Sequence, residues 1–95
     1  MKTPTDDPIT LPTIHLNGTS PSTLLRDYAD AGFAINAAVE RLLKVEFHSR
    51  DYYPVPGSWD RACDERRKIL QGLREAQRYC EAHVQHASEH GGRLD

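Results

Sequence analysis

Between Leu24 and Val45 the apolar residues return at alternating steps of four and three: Leu24, Tyr28, Ala31, Ile35, Ala38, Leu42 and Val45. A side chain comes back to the same side of an α-helix at these intervals, so the spacing predicts one continuous apolar seam on a helix. Leu25, Gly32, Val39 and Leu43 widen the seam, while Arg26, Asp30, Glu40, Arg41 and Lys44 lie off it. Ser20 suits the N-cap and Pro21 the first helical position. This first helix is expected over about 21–47.

The segment "HSRDYYPVPGS" then forbids helix, because two prolines and a glycine fall within it. It reads as a connection over 48–57. A second helix is expected over about 59–90, with Ser58 as N-cap, acidic residues near its start, and Gly91-Gly92 as its stop. Its seam is Trp59, Cys63, Leu70, Leu73, Cys80, Val84 and Ala87, interrupted by Arg66 and Gln77. Two long helices with one short connection predict an all-α fold, an antiparallel two-helix hairpin. In a tight hairpin Gly32 falls opposite Gly72, and Arg66 falls within reach of Glu40.

Residues 1–19 contain Pro4, Pro8 and Pro12 and form an extended N-terminal arm, followed by the hairpin domain over 20–92. Ile9 and Leu11 alternate, as do Ile14 and Leu16, which predicts short β-like pieces. Residues 1–8 are expected to be disordered. A lone hairpin encloses no core, and small chains are marginal for that reason. The expected remedy is a homo-oligomer, at its simplest a dimeric four-helix bundle, with each arm crossing onto a neighbour.

The net charge of −2 argues against a general nucleic-acid binder. No segment approaches the ~20 apolar residues that span a bilayer. The opening "MKTPTDDPIT" has no apolar core of a signal peptide, so the chain reads as soluble and cytosolic. Cys63 and Cys80 on one helix would lie ~25 Å apart at ~1.5 Å per residue, too far for a disulfide, and read as small core residues.

Two stretches carry candidate binding chemistry. In "IHLNGTS", Gly18 permits a sharp turn, the amides of a helix start follow it, and His15, Asn17 and Thr19 add polar groups. This suits a phosphate or carboxylate; the alternative is a helix cap preceded by a turn. In "HSRDYYP", Arg50 can fork onto a phosphate and Tyr52 and Tyr53 offer faces for a base. The alternative there is that both tyrosines cap the open end of the helix pair and Asp51 pairs with Arg50. His83, His86 and His90 share one side of the second helix, but no second ligand segment joins them, so no metal is assigned. The cationic run from Arg66 to Arg78 is interleaved with acids and reads as a solvated face. No catalytic constellation is found and no cofactor is called for.

At "IHLNGTS", the helix after it and "RDYYP", the chain resembles a group of small proteins encoded in phages and prophages, over roughly residues 13–90. These share an HLNGTS start, a helix, a DYYP-type connection and a second helix. The resemblance implies a phage accessory protein in the cytosol of an infected bacterium, and brings no activity with it. By analogy of size and architecture alone, small helical phage proteins that act as sponges for nucleotide immune signals offer a model. The resulting expectation is a non-catalytic, anti-defence oligomer that binds a small anionic, nucleotide-type ligand through His15, Asn17, Gly18, Thr19, Arg50, Tyr52 and Tyr53. The other expectation is a protein-interaction module for a host or virion protein.

Overall fold

The computed structural model describes residues 8–91. Helix α1 spans Pro21–Leu43, a 3-10 turn spans Ser49–Asp51, and helix α2 spans Ser58–Gly91. The described residues contain no strand. The disorder expected over 1–8 falls outside the described residues, except for Pro8, as does the Gly92 half of the helix stop.

Helix α1 begins as its sequence dictates. Ser20 is extended (φ −63°, ψ 146°), and its Oγ accepts the Thr23 amide at 3.2 Å. The helix ends four residues earlier than expected. Lys44 and Val45 donate to Arg41 O and Leu42 O at 3.1 and 3.2 Å, which tightens the last turn. Leaving the helix frees Phe47 to fold onto Trp59, with ring centroids 4.8 Å apart. Ser58 is not a side-chain cap: its hydroxyl donates to Tyr52 O at 2.7 Å, tying α2 to the connection.

The helices lie side by side. Leu42 meets Arg66, Asn36 meets Gln77, Gly32 meets Cys80, and Tyr28 meets His83. This register is shifted about two turns from that of a tight hairpin. Gly32 therefore does not meet Gly72. A Cβ on Gly32 would sit 3.6 Å from Cys80 Cβ, and one on Gly72 would find nothing within 4 Å. Arg66 does not reach Glu40 either: it donates to Leu42 O at 3.3 Å, with its guanidinium 4.6 Å from the Phe47 ring centroid.

The seam of α1 leans toward the residues that widen it. Leu24, Tyr28, Ile35 and Leu42 of the expected line are half-buried, with Leu25, Gly32 and Val39 covered beside them, whereas Ala31, Ala38 and Val45 are exposed. Both sides keep the same periodicity. Burial contributes ~0.8 kcal/mol per CH₂, so the side carrying Leu25 and Val39 wins over the one carrying two alanines.

Pro21, Val39, Cys80 and Ala87 are the buried apolar residues among those described, and His83 is the buried polar one. The body measures 61 × 32 × 17 Å, with a radius of gyration of 18.5 Å. A compact 95-residue chain would have about 12 Å. The hairpin is thus one helix layer thick, with little interior of its own.

Candidate functional site

The HLNGT turn is closed by its own backbone. Gly18 N–H donates to His15 O at 3.1 Å. Gly18 has no positive φ; what it provides is room, since a Cβ there would lie 2.9 Å from His15 Nε2. The start of α1 is already satisfied in large part. Pro21 has no amide, Ser20 Oγ holds the Thr23 amide, and Leu24 N–H donates to Ser20 O at 3.0 Å. The anion cradle expected from these amides is thin for that reason. The side chains of His15, Asn17 and Thr19 are exposed.

At the other end of α1, the 3-10 turn closes through Asp51 and Tyr52 amides bonded to His48 O and Ser49 O. The two neighbouring tyrosines part here. Tyr52 is half-buried against Phe47 and Trp59, with centroids 5.7 and 5.6 Å away. Tyr53 stands 75% exposed. Arg50 and Asp51 are both exposed and form no ion pair with each other; the acid-base contact nearby is His48 Nε2 to Glu46 at 2.6 Å. Tyr52 therefore caps the hairpin end, as the structural alternative had it, while Arg50 and Tyr53 remain turned outward.

The two stretches are not brought together within one chain. They flank the 23 residues of α1, ~35 Å at ~1.5 Å per residue.

The histidines divide by role. His83 Nδ1–H donates to Tyr79 O at 2.8 Å, and its ring stacks on Tyr28 at 4.2 Å and tilts against Tyr79 at 4.3 Å. His86 Nε2–H donates to Pro12 O at 2.6 Å, which fastens the arm to its own α2. His90 lies against His86 with centroids 4.6 Å apart. No group of three His, Cys, Asp or Glu side chains among the described residues could hold a metal. Beside His83, hydrogen bonding with the Tyr79 phenol first, and burial second, push the Tyr28 hydroxyl above its ordinary value.

The sequence reading missed a groove of about 640 Å³ between the helices, toward their open end. Gly32 and Cys80 line it together with Val84 and Ala29, and the Asn36–Gln77 hydrogen bond of 3.1 Å crosses it. Phe33 borders it, 74% exposed. The available signal was Phe33 itself, a large aromatic residue one position off the seam. A smaller hollow of about 380 Å³ lies nearer the start of α2, lined by Arg67, Arg74 and Arg78 with Leu70 and Gln71.

No family model, curated protein or solved structure was found to match the chain. No helix among the described residues is long and apolar enough to cross a membrane.

Proposed function

We propose that the protein is a non-catalytic homo-oligomer of antiparallel hairpins that binds a small anionic, nucleotide-type ligand between chains. The observation that carries the reading is the near-absence of an interior: among the described residues, four buried apolar side chains serve helices of 23 and 34 residues. Such helices gain most of their stability from burying an apolar face, and a second hairpin is the simplest cover. The ligand part is supported by Arg50 and Tyr53 at one end and His15, Asn17 and Thr19 at the other, all exposed. An antiparallel pair of hairpins sets one group beside the other, so each dimer would carry two composite sites. Gly18 serves by keeping the turn open for His15, and Tyr52 by holding the loop. In the phage setting that the sequence resembles, this is a cytoplasmic sponge for an immune signal.

The test is native mass spectrometry after incubation with lysate from bacteria with activated nucleotide signalling. The expected result is an oligomer carrying a small-molecule mass, lost in an Arg50→Ala/Tyr53→Ala variant whose circular dichroism is unchanged. An oligomer of bare polypeptide mass would defeat the ligand reading. It would favour an interaction module for a host or virion protein, the second reading, which the exposed Phe33 beside its groove supports.

A further inference from the structure

One line of exposed residues runs along α2 from Arg67 to its last turn at steps of four and three: Arg67, Gln71, Arg74, Arg78, Glu81 and Gln85, ending at Glu89. Within this stretch the sign reverses midway. Arg67, Arg74 and Arg78 occupy the half toward the connection, Arg67 with its own-chain partner Asp64 at 3.3 Å, and Glu81 and Glu89 occupy the half toward the open end. The same line borders both hollows of the structure, the cationic one through Arg67 and Arg74 and the apolar groove through Glu81 and Gln85. The arm lies elsewhere, fastened at His86, whose side chain lines neither hollow.

We propose that this face is the dimer interface, and that its occupant is a second copy of the chain, seated antiparallel about a two-fold axis near Gln77 and Arg78. The inference rests on the oligomer proposed above and names its surface. An isologous contact must be self-complementary. A line that is cationic on one half and acidic on the other meets this condition in the antiparallel sense, because rotation lays each half on its opposite. Arg74 of one copy then faces Glu81 of the other, Gln71 faces Gln85, and Arg67 faces Glu89. Arg78 lies at the axis and faces its own copy, a like-charge contact offset by Glu81 of both copies one turn away. The apolar content fits the same rotation. Asn36 is bonded to Gln77, so the axis crosses α1 near Asn36. Phe33 of each copy then lies within a turn of the axis, over the hollow that Gly32 leaves in the other. A polar rim around an apolar centre is the usual anatomy of such a contact. The arrangement also sets the start of α1 in one copy beside the 49–53 turn of the other, as a composite ligand site requires.

The test is a charge-swap series on the full chain, followed by sedimentation equilibrium at low salt. Arg74→Glu alone and Glu81→Arg alone each place like charges across the axis twice, and each is expected to raise the dimer dissociation constant at least about tenfold. An equimolar mixture of the two variants restores both opposite-charge pairs, as does the double variant, and both are expected to recover wild-type affinity. Both positions are exposed, and circular dichroism verifies that the helices persist. A wild-type oligomer indifferent to all the swaps overturns this interface while keeping the oligomer, and leaves the groove to another occupant. A monomeric wild type overturns the oligomer itself.

Discussion

The two ends of the hairpin are each closed by three rings, but by opposite means. At the connection, Phe47, Tyr52 and Trp59 meet at centroid distances of 4.8 to 5.7 Å, and all come from one short stretch of chain. At the open end, Tyr28 comes from α1, and Tyr79 and His83 from α2, with centroids 4.2 to 6.0 Å apart. The local cluster forms at low entropic cost, because little chain is closed to make it. Yet it buries none of its rings fully. The long-range cluster buries its His83 ring to 3% exposure, beside buried Cys80, although Tyr79 on its outer side is 45% exposed. The free ends, where a hairpin would be expected to fray, are the better enclosed. The arm adds to this by placing the Pro12 carbonyl on His86.

Substitutions at the two ends should rank accordingly. His83→Ala removes ring contacts on both sides, a hydrogen bond to Tyr79 O, and leaves a cavity; the expected loss is about 3 kcal/mol. Trp59→Ala deletes a larger side chain from a half-exposed site, and should cost about 2 kcal/mol. Urea unfolding followed by circular dichroism measures both. A larger loss at Trp59 would reverse the comparison and make the connection the anchor of the fold.

Gly72 lies between the two clusters, on the outer side of α2, and a Cβ there would touch nothing. Gly72→Ala should therefore stabilise the helix by about 1 kcal/mol, the ordinary glycine penalty inside a helix. This substitution favours neither end, so it calibrates the other two. Destabilisation would mean that Gly72 is covered in the assembled state, by a surface that the single chain does not show.

How much of this was legible in the sequence depends on the interaction range. Ser20 and Pro21 announced the start of α1, because a cap acts within four residues. Two prolines and a glycine announced the break. The lean of the α1 seam toward Leu25 and Val39, away from Ala31 and Ala38, was not legible because the two sides differ only in bulk, and bulk matters only against a partner. Gly32 was paired with the wrong residue for a related reason: the register depends on how Phe47 folds onto Trp59, which spacing does not report. His83 read as one of three histidines on one side of the second helix. Its burial needs Tyr28, fifty-five positions earlier, and no local pattern reveals that. In the candidate site, the loop's chemistry was visible but the division between Tyr52 and Tyr53 was not. Adjacent residues just past a 3-10 turn face different ways, and only the presence of Trp59 decides which one is covered.

The smallest effect concerns the open end alone. Hydrogen bonding with Tyr79, and then burial, raise the Tyr28 hydroxyl above its ordinary value of 10.0. A folded-state value above the unfolded one means that the native state holds this proton more tightly. The resulting stability is fully present below pH ~10 and is lost as pH rises through the folded value. Raising the pH past that point should loosen the open end first, and Tyr28→Phe should flatten the alkaline slope. Trp59 is the single tryptophan and sits at the other end, so its fluorescence reports the connection separately from the helices. The expected record is a fall in helical circular dichroism that precedes any change in tryptophan emission, with the gap between them closed in Tyr28→Phe. Coincident changes in the wild type would show that the two ends unfold as one unit, and that the difference between their clusters has no thermodynamic consequence.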